Sequence, residues 1–203
     1  IVDGSHPSLD ISKTINNSKI IYSKNDLGIS HAFNRGILNA DGDYIIFLNA
    51  GDTFLTGAGR HVENSLQDFS FDCFWFSVIR ESKNKKSLFK PRLKYLYYAM
   101  SCPHQGMIIR KDIFSKIGLF PLQKYSMDHY LALKLLKTEP KIKVDNNAIA
   151  IYPSGGHSTL GGVKPFLYNT VNVIRIDPKR LFLAIILNTY LALKSIIMKW
   201  IPI

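Results

Sequence analysis

Through the first eighty residues, short apolar runs alternate with segments whose apolar positions recur every three or four residues, the pattern of βαβ units around a mostly parallel sheet. Ile1 to Val2 and Ile20 to Tyr22 read as strands, and Ile29 to Asn39 as a helix with Ile29, Phe33 and Ile37 on one face. Asp43 to Leu48, DYIIFL, has the unbroken β-branched and aromatic character of a strand covered on both faces, and it runs straight into NAGD at residues 49 to 52. Gly57 to Phe69 reads as a second helix and Phe71 to Ile79 as another strand. Further on, Gly106 to Arg110 reads as a strand, Lys111 to Ile117 as a short helix, and Met127 to Lys137 as an amphipathic helix with Ser126 as its N-cap, stopped by Pro140. Ile142 to Tyr152 reads as extended, and PSGGHSTLGG at 153 to 162 as a glycine-rich loop. The tyrosine-rich stretch from 81 to 102 gives no clear element.

The last segment is different in kind. Leu181 to Ile197 is apolar but broken by Asn188, Thr189, Tyr190 and Lys194, and seventeen residues stand at the lower limit for crossing a bilayer, which takes about 20. An interfacial helix fits better, flanked by Lys179, Arg180 and Lys199 with Trp200 at headgroup depth; a helix packed on the domain's own core is the alternative. Charge sharpens this division. The first sixty residues hold five Lys or Arg against six Asp or Glu, so the net +11 comes entirely from the rest of the chain. Arg80, Lys83, Lys85, Lys86, Lys90, Arg92 and Lys94 form its densest run, suited to an anionic surface or equally to a solvated hairpin. With 203 residues and 46% hydrophobic composition the chain can bury a core, and Cys73 and Cys102 are too few for a disulfide framework, which makes a reducing cytosol the default compartment. The opening IVDG reads as the end of a buried strand, so the chain has the character of a fragment or processed form.

In open α/β sheets ligands sit beyond the carboxyl ends of strands, which points to the polar cluster after DYIIFL. Asp52, with Asn49 and the Gly51 main chain beside it, offers the hard oxygen ligands that Mg²⁺ or Mn²⁺ prefers and an approach for a diphosphate. The same residues also suit a simple turn. Asp128 in SMDHY is the other carboxylate in a telling position, as a base for a weakly acidic hydroxyl or as a charge offsetting a helix N-terminus.

The segments IVDGS (1 to 5), SKNDLGISHAFNRGILNADGDYIIFLNAGD (23 to 52), CPHQGMIIRKDIFSKIGLF (102 to 120), YSMDHYLALKLL (125 to 136) and GGHST (155 to 159) follow one another in an order that resembles family 2 glycosyltransferases, enzymes of the GT-A fold that include bacterial assemblers of cell-surface polysaccharide. The resemblance covers about residues 1 to 160 and implies a GT-A-like α/β domain there, lacking the family's first strand, with 161 to 203 as a helical, membrane-associating extension. It implies that Asp3, Asp26, Asn34, Asn49, Gly51 and Asp52 bind the nucleotide-sugar, that Asp52 is the metal ligand, and that Asp128 is the catalytic base. His104 and Gln105 would line the acceptor side, and His157 would belong to a loop closing over the donor. Asn34 serves equally as a packing polar group, His104 as a structural histidine, and His129 reads as a surface or packing residue. Asn49 departs from the acidic form of the metal motif.

The expected activity is therefore a metal-dependent, inverting glycosyl transfer of the hexosyltransferase type using Mn²⁺ or Mg²⁺, from a UDP-sugar to a lipid-linked saccharide, by a cytoplasmic protein peripheral at the inner face of the membrane. Two rivals remain at this point: an inactive truncated remnant of the same fold, and a basic nucleic-acid-binding protein. The second lacks any recognisable binding module.

Overall fold

The computed structural model describes residues 2–3, 21–22, 27–83, 85–155 and 162–200. Strands β1 (Val2–Asp3) and β2 (Ile21–Tyr22) pair in parallel, with Val2 opposite Ile21. Helix α1 (Ile29–Asn39) has the predicted bounds, and it buries Ile37 while Phe33 packs against the same core. After it come β3 (Tyr44–Ile46), the short β4 (Thr53–Phe54), α2 (Ala58–Leu66) and the long β5 (Cys73–Ser82). The basic run is a hairpin arm: β6 (Lys85–Phe89) pairs antiparallel with the outer half of β5, with Lys85 and Lys86 exposed and Lys86 salt-bridged to Glu81 at 3.1 Å. Then follow α3 (Leu93–Leu96), a single 3₁₀ turn (His104–Gly106), β7 (Met107–Arg110), α4 (Ile113–Ile117), α5 (Met127–Leu136), β8 (Ile142–Pro153), α6 (Lys164–Ile176) and α7 (Leu181–Trp200).

The fold is mixed α/β as expected, but the main sheet is not mostly parallel. Its order is β3-β7-β5-β8-β4, and only β5 and β8 run parallel; β3 with β7, β5 with β7, and β4 with β8 are antiparallel. Apolar runs report burial and not direction. The segment between β6 and β7 returns the chain so that β7 enters between β3 and β5 against both.

β5 reads CFWFSVI because both of its faces are covered. Cys73 and Trp75 point into one core with Ile37, Phe47, Ile109, Phe120 and Leu131, while Phe74, Phe76 and Val78 point into another with Ala58, Ile108 and Ile149. Both cysteines are buried and free, and burial pushes each thiol up, that of Cys102 to about 11. A third, smaller cluster joins Leu133 of α5 to Val173 of α6 and Ala184 of α7. The C-terminal helices thus dock on the body through α5.

Ser126 is not the side-chain cap of α5. It sits in the left-handed region at φ 53°, and its hydroxyl donates 2.9 Å to the Pro165 carbonyl instead. The buried Asn172 of α6 donates to the Ser126 carbonyl at 2.8 Å, so the entry to α5 is held by a tertiary partner 46 residues away.

Candidate active site

β3 ends at Ile46, two residues short of the strand end read from DYIIFL, and after Phe47 and Leu48 the residues NAGD form a tight turn. The Asp52 N–H donates to the Asn49 carbonyl at 3.0 Å, and Gly51 at φ 92° supplies the positive φ that the third position of a type II turn demands. The Asn49 N–H in return donates 2.9 Å to Asp52 Oδ2. This fastens the carboxylate at the strand end. Gln105 Nε2 donates to the same oxygen at 2.9 Å, so among the described residues Asp52 Oδ2 carries both bonds.

Gln105 is delivered by the HQG turn, and Gly106 explains why that turn lies so close to the sheet. A Cβ at Gly106 would overlap the Phe76 carbonyl oxygen and stand 3.1 Å from Val78 Cγ1. Only glycine admits this packing. The turn also sets His104 between two partners, with Nε2 3.1 Å from Asn49 Nδ2 and Nδ1 3.4 Å from Asp128 Oδ2. Because an amide nitrogen donates, Nε2 accepts and the neutral ring carries its proton on Nδ1, facing the carboxylate. Phe33 of α1 meets the imidazole edge-on, with centroids 5.6 Å apart. Asn49, Asp52, Gln105, His104 and Asp128 thereby form one connected network drawn from three separated segments.

Asp128 opens the first turn of α5. Burial works against its charged form, but the hydrogen bond from His104 and the His129 N–H (2.9 Å to Oδ1) outweigh it and hold the carboxyl below the usual range. It is ionised at neutral pH. His129 is fully buried, bonds the Leu96 carbonyl through Nε2 at 2.9 Å, and is pushed down to about 4 by burial. It is a neutral packing group, anchoring the helix start that carries Asp128.

Asn34 is buried and pairs both ways with the Phe120 main chain (2.9 Å from Nδ2, 2.8 Å to Oδ1), so the packing role is the one its geometry supports. The backbone of Asp3 lies in β1 opposite Tyr22. Asp26 and His157 lie outside the described residues. Two neighbours of Asp52 escaped the sequence reading as site residues. Thr53 pairs with Ile151, and Tyr152 pairs with Arg80, so the registers line up Asp52, Tyr152 and Arg80 across adjacent strands. Burial raises the Tyr152 hydroxyl, with Arg80 pulling it down and Asp52 pushing it up. Arg80 was visible only as part of the basic run; its strand register was the missing signal.

No three His, Cys, Asp or Glu side chains converge as a metal site among the described residues. The donor set still fits a hard cation of the Mg²⁺ or Mn²⁺ kind, which takes one or two carboxylates and completes its shell with substrate phosphates and water. Asp52 presents a carboxylate of that kind. A concavity of about 610 Å³ lined by Asp43, Tyr44, Phe69, Arg110 and Asp112 lies at the other end of β3 and includes no residue of the network. Its Arg110 is already paired, with Asp72 at 2.9 Å and with Asp112 at 2.7 Å.

With this geometry in hand, the comparisons are decisive for ancestry. The family model described as Glycosyl transferase family 2 matches residues 1–127, more than half of the chain. The chain belongs to glycosyl transferase family 2. Among solved structures, the 1–349 portion of S. aureus TarS in complex with UDP-GlcNAc superposes with a TM-score of 0.60 at 16% identity, covering 87% of this chain and 57% of that one. Mannosyltransferase PcManGT from Pyrobaculum calidifontis, in complex with GDP-Man and Mn²⁺, gives 0.58 at 14% identity, covering 87% and 55%. At such identities the likeness is one of fold, and this family 2 chain has a GT-A-like fold with an apolar C-terminal helix. It spans about half the length of these structures. No curated protein matches the sequence.

Proposed function

We propose that this chain carries the reaction centre of an inverting glycosyltransferase, which moves a sugar from a nucleotide-sugar, a UDP-sugar by preference, to a hydroxyl of a lipid-linked saccharide in the building of cell-surface polysaccharide. The observation that carries this reading is the single network joining Asp52 to Asp128 through Asn49 and His104, with Gln105 holding Asp52 from the same turn as His104. Family membership and the nucleotide-sugars bound by the similar TarS and PcManGT structures support it.

Asp52 would hold the divalent cation against the donor diphosphate, and a cation there supplies Lewis-acid neutralisation of the charge that builds on the leaving group. Gln105 and the Asn49 main chain fix the carboxylate for that duty. Arg80, beside Tyr152, adds a positive charge on the diphosphate side. Asp128, held ionised, accepts the proton of the acceptor hydroxyl as its oxygen attacks the anomeric carbon from the face opposite the diphosphate. A base of low pKa receives that proton late, when bond formation has already made the hydroxyl acidic. His104 aims the carboxylate through its Nδ1–H. One displacement of this kind inverts the anomeric configuration.

The test is nucleotide release across a panel of sugar nucleotides, with and without Mn²⁺, for wild type, Asp52→Ala and Asp128→Asn. Removing a positioned base typically costs about 10²- to 10⁴-fold, so Asp128→Asn should fall by that much while remaining folded. Wild-type rates in either variant would remove the assignment.

A further inference from the structure

Helices α6 and α7 are built inside out. In a water-soluble helix leucine and isoleucine turn inward and asparagine outward. Here Asn169, Asn172 and Asn188 are buried, while Phe182 is 75% exposed, Leu183 53%, Ile186 51% and Leu193 54%. The side of α7 that meets the protein carries Ala184, Asn188 and Ala192 at four-residue spacing, small and polar groups of the sort that join helices where no water drives them together. Asn169 Nδ2 donates to Asn188 Oδ1 at 3.3 Å, completing a polar seam between the two helices. By helical geometry the outward residues Phe182, Leu183, Ile185, Ile186, Tyr190 and Leu193 fan over an arc of about 160°. That is wider than the narrow seam two helices share. An apolar solvent covers such an arc; a second helix does not.

We propose that α7 is a monotopic lipid-docking element, lying in the plane of an anionic membrane surface with this arc immersed. Charge agrees with that occupant. From 178 to 203 there is no Asp or Glu, while Lys179, Lys194 and Lys199 add positive charge. Lys194 stands at the edge of the apolar arc, where its ammonium reaches the headgroups while its stem stays in the apolar layer. The helix is long and apolar enough to cross a membrane. What keeps it in the plane is its eighth residue: Asn188 Nδ2 donates 2.8 Å to the Tyr98 carbonyl, and Ala184 packs with Leu133 of α5. A spanning helix would draw that part of the folded body into hydrocarbon, where its backbone groups lose their partners. The surface lies outside the Asp52 to Asp128 network and does not depend on the transferase reading.

The test is flotation of the full chain with vesicles of phosphatidylcholine, with and without phosphatidylglycerol, read as binding and never as turnover. Wild type should float with the phosphatidylglycerol vesicles and release progressively as salt is raised. Ile186→Asp with Leu193→Asp should lower partition at least tenfold with an unchanged melting curve, since both side chains face outward. Lys179→Gln with Lys194→Gln, which leaves every apolar contact in place, should weaken binding to the anionic vesicles alone. This second pair decides the matter if the aspartates disturb folding. Wild type remaining in the lipid-free fraction, either pair partitioning as wild type does, or an aspartate-sensitive dimer that ignores vesicles would each overturn the proposal.

Discussion

Acid should loosen this protein from the start of α5, and His129 sets the size of the effect. The ring is fully buried, donates from Nε2 to the Leu96 carbonyl at 2.9 Å, and leaves Nδ1 without a partner. Protonating Nδ1 would place a charge in the core with no acceptor for the new N–H. Burial accordingly lowers its pKa from 6.5 to about 4, against the opposing pull of the Leu96 bond and the Asp128 charge. Between those values the unfolded chain binds the proton and the folded one does not. The stabilisation is therefore complete above about pH 6.5 and is lost as pH falls towards about 4. A gap of ~2.5 units at ~1.36 kcal/mol each comes to about 3 kcal/mol, a large share of the 5–15 kcal/mol that typically separates folded from unfolded states. Asp128 acts in the same direction at lower pH, because a carboxyl held below its ordinary range stabilises the fold only while it stays ionised. The assay is urea unfolding at a series of pH values for wild type and His129→Gln, which keeps a donor for Leu96 but cannot take the proton. Wild type should lose about 3 kcal/mol more than the variant between pH 6.5 and 4. Parallel pH profiles for the two proteins would refute the reasoning.

Three further substitutions separate site from scaffold. Gly106→Ala forces a methyl against the Phe76 carbonyl oxygen, so it should cost ~1–3 kcal/mol by thermal melting and, by shifting His104 and Gln105 together, reduce nucleotide release by more than the stability loss explains. Asn34→Ala strips the Phe120 main chain of both its partners and should destabilise by about 1–3 kcal/mol while calorimetric affinity for UDP stays as in wild type. Arg80→Ala, at an exposed strand position beside Tyr152, should leave the melting temperature within a degree or two and weaken UDP binding about tenfold, worth ~1.4 kcal/mol, with a smaller loss for uridine.

Elements were legible where local pattern and tertiary environment agree. In α1, Phe33 and Ile37 recur at helical spacing and meet the core, whereas Ile29, read onto the same face, stays exposed, and DYIIFL marks a covered segment because both its faces meet apolar layers. Strand direction left no such trace, since an apolar run reads the same both ways. Ser126 illustrates a second limit: a serine before a helix ordinarily caps it, yet here Pro165 and Asn172 of α6 claim its hydroxyl and carbonyl. The site was half visible. Asp52 and Asp128 stood out by their position at element ends, but the bond from Gln105 to Asp52 joins residues 53 apart, and nothing in HQG announces that its glycine exists to clear a carbonyl of β5. His129 shows the reverse, a residue conspicuous beside Asp128 whose ring turns away into the core. The C-terminal segment was legible as apolar; that its asparagines face inward needed the packing of α6 on α7.

The central claim is that the donor's diphosphate with its cation, and the base for the acceptor, meet on one network of side chains. Paramagnetic broadening by Mn²⁺ in the presence of UDP, read on the amide and imidazole resonances, tests it most directly. The account predicts broadening centred on Asp52, Gln105, His104 and Asp128, abolished by Asp52→Ala, with Arg110 at the far end of β3 left sharp. Broadening centred instead on the Asp43 and Arg110 concavity, or spread evenly over the exposed carboxylates, would contradict it.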